Sequence, residues 1–237
     1  MPVTPSTSAD PHPSHRLVPT ILVAGAIGLA LFAAIAAQVV TGSALTLLDP
    51  TATAHAVSLR RPWLTQVAWV ATHLGGTTGL TLLALLACAV LAVHGRRLQA
   101  GVLAVMMAGS AALTVLLKLA FGRERPSVAL LLGEPSSSFA FPSGHSFNTA
   151  VLVGALAGVV LLSGAPRARK AVAVLGAVVA SLLVGLSRVY LAYHWMTDVL
   201  AGWSLAVAWL SLVAATVLLL RGHRPWGLRS EPGPAQE

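Results

Sequence analysis

Six stretches of this chain stay apolar for about the length of a bilayer crossing, and that narrows what it can fold into more than any other feature. They run from about Leu17 to Val40, Gly76 to Ala92, Gln99 to Phe121, His145 to Leu162, Ala171 to Leu186 and Asp198 to Leu220. A hydrocarbon core of ~30 Å takes about 20 helical residues to cross. Lipid offers no water to backbone N–H and C=O groups, so each stretch must be a helix or a strand of a closed barrel. Barrel alternation is absent. The expectation is therefore all-α: a polytopic membrane bundle of six transmembrane helices, with Trp63 to Leu74 as an interfacial lead-in to the second. Only 9% of residues are charged, against about 25% in soluble domains. Small residues such as Gly25, Ala26, Gly28, Gly154 and Gly158 suit close helix contact.

The ends read differently. Residues 1–16 are rich in Pro, Ser and His and have no hydrophobic period, which predicts a disordered tail. Residues 17–220 form the membrane domain and residues 221–237 a second tail. The first span is too long for a signal-peptide core of roughly 7–15 residues and is expected to stay, despite an Ala-x-Ala pattern at Ala34 to Ala36. His12 and His15 lack a third metal ligand. Cys88, the single cysteine, rules out an internal disulfide and a thiolate cluster and reads as a space-filling side chain.

A net charge of +8 raises nucleic acid as a partner, but that requires a basic face on a soluble fold, and none is visible. In a membrane chain basic residues report topology instead. Six spans put both termini on one side, together with Arg16, Arg96, Arg97, Arg167, Arg169, Lys170, Arg221, Arg224 and Arg229. The other side holds Arg60, Arg61, Lys118, Arg123, Arg125 and Arg188. Four of those six belong to the polar clusters described next. The remaining imbalance predicts a multi-pass plasma-membrane protein with both termini in the cytoplasm and its polar clusters at the extracytoplasmic end. The long connection Gly122 to Ser143 lies there too, and loops of that length tend to be functional.

An ionisable side chain in lipid must find a partner or a purpose. Lys118 closes the third span, and Arg125 follows seven residues later, ahead of Pro126, so both face one way if the helix continues. Together they supply a point charge and a planar fork suited to phosphate oxygens; ordinary anchoring of a helix end is the plain alternative. Pro142-Ser143-Gly144-His145 opens the fourth span. Ser143 is an N-cap candidate, and Gly144 lets a ligand approach amides at the positive end of a helix. His145 stands in the first turn, able to donate a proton. His194 and Asp198 are four residues apart and share a helical face, and Asp198 is the one acidic residue in any predicted span. Their pairing would fix the imidazole tautomer and free its other nitrogen to attack. Arg188 lies six residues upstream of His194.

Lys118-x6-Arg125-Pro126, Pro142-Ser143-Gly144-His145 and Ser187-Arg188-x5-His194-x3-Asp198 match the three signature motifs of the type 2 phosphatidic acid phosphatase superfamily, the lipid phosphate phosphatases. The resemblance covers residues 118 to 198 without departure at any motif position. It implies that His194 is the nucleophile, oriented by Asp198; that His145 protonates the leaving alcohol; and that Lys118, Arg125, Arg188, Ser143 and the Gly144 amide hold the phosphoryl oxygens. It implies no metal and no other cofactor. Arg123 would be an auxiliary contact and Glu124 a surface partner.

The resulting expectation is a membrane phosphatase that acts through a phosphohistidine on a lipid phosphate within the bilayer. In a bacterial cell, to which the Ala-rich, Lys-poor composition points, the leading substrates are a polyprenyl diphosphate, phosphatidylglycerol phosphate and phosphatidate. Transfer to another alcohol would make the same site a phosphotransferase, though the short Arg188 to Thr197 connection leaves little room for a polar acceptor. A transporter or scaffold is the non-catalytic alternative, but no repeated broken helices are seen. The remaining polar residues read as ordinary: His73 and His94 interfacial, His55 and His223 in loop or tail, Trp63, Trp195 and Trp226 in aromatic belts. Phe139 and Phe141 are candidates to line a passage for a lipid tail.

Overall fold

The computed structural model describes residues 13–222. They form eight helices and, among the described residues, no strand: α1 (Pro13–Thr41), α2 (Leu45–Ser58), α3 (Pro62–Leu74), α4 (Thr77–Val93), α5 (Arg97–Phe121), α6 (Gly144–Leu161), α7 (Arg167–Tyr190) and α8 (Met196–Gly222). Helices α1, α5, α6, α7 and α8 are each long and apolar enough to cross a bilayer; α3 and α4, bent by 58° at Gly75-Gly76, make a sixth crossing when taken as one. The polytopic all-α bundle expected from hydropathy is thus present. His12, Trp226, His223 and most of the terminal tails lie outside the described residues.

Local signals set the helix ends. Pro62 occupies the first position of α3, where its missing N–H costs nothing. Gly122 ends α5 with φ +57°, a conformation glycine adopts freely, and its N–H closes on the Lys118 carbonyl at 3.0 Å. Helix α5 therefore stops before Arg125, and the loop rather than a continued helix must deliver that side chain.

Helix α2 is the element that hydropathy missed. Pro50, Asp49, three threonines and His55 break its apolar run, so it never reaches spanning length. It packs along α7 and α8, turning Asp49 and Thr53 inward, 2% and 0% exposed, and Leu47 and Leu48 outward. His55 is therefore helical, not a loop residue, because the tertiary contact of α2 outweighs its weak local propensity.

Helices α1 and α8 pack most extensively, and Gly28 allows it: a Cβ there would stand 2.8 Å from the Ser204 carbonyl oxygen. The core between α1, α5, α6 and α8 includes Phe32, Met106, Phe141, Phe147 and Val151. Phe141 is wholly buried, with ring centroids 4.8 Å from Phe121 and 5.8 Å from Phe32. It anchors the loop under the bundle and does not line a tail passage, because an aromatic ring gains more from a dry, packed site than from an open edge. Phe139, two residues earlier, stays 42% exposed.

Candidate active site

Residues 122–143 carry one short 3-10 turn, Val128–Leu130, and are otherwise tied down by cross-chain bonds. Leu132 N–H donates to the Leu191 carbonyl at 3.0 Å, Ala140 N–H to the Arg123 carbonyl at 2.8 Å, and an Arg60 Nη to the Leu130 carbonyl at 2.7 Å. The loop folds back over the ends of α5 and α7. This brings two of the three motif clusters together despite the early stop of α5. Lys118 Nζ donates to the Phe139 carbonyl. Arg125 donates to the Ser138 carbonyl at 2.7 Å and the Tyr193 carbonyl at 2.6 Å.

Ser143 caps α6 as expected. Its hydroxyl accepts from Ser146 N–H at 3.4 Å and Ser146 O–H at 2.9 Å, while its own N–H donates to the Asp198 carbonyl at 3.0 Å. The start of α6 is thereby fixed to the start of α8. Ser143 is fully buried and sits under the helix end, whereas Gly144 reaches the cavity wall. Only glycine fits there, since a Cβ would lie 2.8 Å from Thr114 Cγ2.

Arg188 and His194 flank a tight turn that closes on Arg188 itself. The Arg188 carbonyl accepts N–H bonds from Tyr193 at 2.9 Å and His194 at 3.2 Å, and Ala192 takes φ +60°. His194, 1% exposed, has Nδ1 3.2 Å from Asp198 Oδ2 and Nε2 3.4 Å from an Arg125 Nη. Trp195 N–H donates to the same Asp198 oxygen at 2.9 Å. Burial first, then the nearby cations Arg125, Arg188 and Lys118, hold the His194 imidazole well below its usual 6.5. The ring is therefore neutral. With Nδ1–H donated to Asp198, the lone pair resides on Nε2.

Lys118, Arg125, Gly144, His145, Arg188 and His194 meet at one end of a cavity of about 650 Å³. Polar atoms there remain unpaired. Arg188 stacks 4.0 Å above the Tyr193 ring and donates to Thr72 Oγ1, while its Nε has no partner among the described residues. Asn148, one turn beyond Gly144, donates to Thr114 Oγ1 at 3.3 Å and leaves Oδ1 without a partner there. His145 Nε2 faces the α3–α4 break, 3.5 Å from where a Cβ on Gly76 would sit. Away from this polar end the walls are Leu80, Ala84, Leu85, Ala111 and Val115. Leu85 and Val115 are more than half exposed on the bundle surface, so the cavity opens sideways between α4 and α5.

Two residues stand behind Asp198: Arg123, expected from sequence as an auxiliary contact, and Asp49, which the sequence did not mark. Arg123 donates to Asp198 Oδ1 at 2.5 Å and to Asp49 Oδ2 at 2.7 Å. Asp49 accepts in addition from Thr197 N–H at 3.0 Å and Thr197 O–H at 2.5 Å. Asp49 is distant in sequence and lies in the helix hydropathy missed, so no spacing announced it. Glu124 is exposed, and its carbonyl accepts from Trp195 Nε1 at 2.9 Å. His73 is also exposed, bonding the Trp69 carbonyl through Nδ1 at 2.6 Å.

A helical membrane bundle with a cationic, His-containing pocket opening into its lipid face defines the class. The chain belongs to the PAP2 superfamily, whose model matches residues 99–221. It is 36% identical over 190 residues to phosphatidylglycerophosphatase B of Bacillus subtilis, an alignment covering 79% of this chain and 92% of that one. It is also 34% identical over 87 residues to an undecaprenyl-diphosphatase of Sulfolobus acidocaldarius, 37% of each chain. Among solved structures, a transmembrane PAP2-type phosphatidylglycerolphosphate phosphatase from Bacillus subtilis superposes with TM-score 0.75 at 31% identity, covering 84% of this chain and 99% of that one. LpxE of Aquifex aeolicus shares the fold, with TM-score 0.54 at 22% identity and coverage of 73% and 95%.

Proposed function

We propose that this protein is a metal-independent phosphatase that removes the terminal phosphate of a membrane lipid through a phosphohistidine. The observation that carries the reading is the neutral, Asp198-oriented His194 at the polar end of a cavity whose other end opens to the bilayer. Lys118, Arg125, Arg188 and the α6 amides neutralise the phosphoryl oxygens; Ser143 acts by holding those amides in place. The lone pair on His194 Nε2 attacks phosphorus, the bond to the lipid oxygen breaks, and His145 gives that oxygen its proton. His145 then takes a proton from water as the water oxygen attacks phosphorus. The P–N bond breaks, phosphate leaves and His194 is regenerated. Asp198 stabilises the positive imidazole formed on the way. No chemical step needs a metal, and no three His, Cys, Asp or Glu among the described residues are grouped to hold one.

Phosphatidylglycerol phosphate is the substrate best supported, since the relative aligned over most of the chain is named for it. Undecaprenyl diphosphate is second, on the shorter alignment. Arg96, Arg97, Arg167, Arg169 and Lys170 crowd helix ends opposite the cavity, which supports an extracytoplasmic site and cytoplasmic termini.

Purified protein with chelator present should release phosphate from phosphatidylglycerol phosphate faster than from the diphosphate or phosphatidate, and a His194→Ala variant should release none. Release by that variant equal to wild type rejects the nucleophile; loss of activity with chelator rejects the metal-free mechanism. A Ser137→Cys protein should react with an impermeant thiol reagent on intact cells, and labelling only after lysis would reverse the orientation.

A further inference from the structure

Apart from Asp198, the buried ion network behind His194 takes no part in the steps above, yet its charge count is unusual. Arg123 lies between two carboxylates, 2.5 Å from Asp198 Oδ1 and 2.7 Å from Asp49 Oδ2. Both acids are almost wholly buried. A guanidinium paired with Asp198 alone would cancel the charge that His194 needs as it becomes cationic. With Asp49 on the far side of the fork, the three groups together carry one net negative charge. Every other charged or titratable group facing His194 is a cation or an imidazole: Lys118 from α5, Arg125 from the loop, His145 from α6 and Arg188 from α7. Asp198 is thus the anion the nucleophile depends on among the described residues, and no neighbour replaces its charge.

We propose that α2 is part of the catalytic apparatus: Asp49 is a positioning residue that holds Arg123 from behind, so that Asp198 keeps both its orientation and its net charge for His194. Asp49 also accepts both donors of Thr197, which fixes the first turn of α8, where Asp198 stands. Arg123 and Thr197 occupy variable positions inside the recognised motifs, but Asp49 comes from a helix outside them. This inference rests on His194 being the nucleophile.

The test is a double-mutant cycle of Asp49→Asn and Arg123→Gln, with kcat, KM and melting temperature measured for each folded protein on one lipid phosphate. Asp49→Asn keeps an oxygen for the Thr197 amide but leaves Arg123 neutralising Asp198, so kcat should fall roughly tenfold with KM little changed. Arg123→Gln leaves two facing carboxylates and should also lower kcat. The double variant removes both charges and should recover kcat about threefold or more over Asp49→Asn. A merely structural network predicts the reverse, with the double variant the worst of the three. Equal or lower kcat in the double variant, or an unchanged kcat in Asp49→Asn, overturns the proposal. Should Asp49→Asn fail to fold, Arg123→Lys serves in its place: a single ammonium cannot bridge both acids, so kcat must fall at constant KM, and wild-type kcat overturns the proposal. If His194→Ala stays active, the nucleophile assignment fails instead, whatever the cycle shows.

Discussion

The two sides of the His194 ring are built on opposite plans. In front of it, toward the cavity, polar atoms are left without partners: Arg188 Nε and Asn148 Oδ1 have none among the described residues. Behind it, both Asp198 oxygens, both outer Arg123 nitrogens and both Thr197 donors are engaged. Buried polar groups are costly unless paired, so the difference separates two jobs. A saturated network fixes geometry in advance, and an unpaired donor and acceptor at the cavity leave capacity for a ligand. Under the proposed function, a phosphate oxygen would accept from Arg188 Nε and return that missing bond.

This contrast fails or sharpens at particular residues. The largest effect should come from the rear: Asp198→Asn keeps size but loses the charge and the tautomer control, and kcat should fall about 10³-fold or more with KM nearly constant. From the front, Arg188→Lys keeps the charge but loses the fork and the Tyr193 stack, so kcat/KM should fall by about 10²-fold, with a rise in KM. Steady-state kinetics on one lipid phosphate checks both; equal KM effects from front and rear would erase the distinction. The smallest effect concerns pH. His194 is held below its usual 6.5 when folded, so below that value the unfolded chain binds the proton and the folded one does not. Stability contributed by the neutral ring is present above pH 6.5 and lost as pH falls, by up to about 1.4 kcal/mol per unit until the folded group titrates. Melting curves from pH 7.5 to 5 should show this slope in wild type and a shallower one in His194→Gln.

Sequence carried the spans and the motif residues but not the means by which they meet. Lipid forces helices on any apolar run of bilayer length, so α1 and α5 to α8 were readable from hydropathy alone. Helix α2 was not, because Asp49 and Pro50 break its apolar run and only contact with α7 and α8 makes it a helix. Lys118 and Arg125 were readable as a pair for a reason that proved incomplete. The helix does not run through both; Gly122 ends it, and the loop returns Arg125 by bonds to Ser138 and Tyr193. Phe141 misled because its neighbours in sequence belong to the site while its neighbours in space belong to the core. Arg123 stood in view among the motifs, but its meaning depends on Asp49, 74 residues away, and no periodicity connects them.

The sideways opening between α4 and α5 has a consequence for what concentration means to this enzyme. A substrate that arrives through that gap travels in two dimensions and never leaves its leaflet. Under the proposed function, turnover follows the fraction of lipid molecules that carry a phosphate, and diluting the suspension at fixed membrane composition leaves it unchanged. The enzyme reads the make-up of the surface around it, and the bilayer itself serves as the reaction vessel.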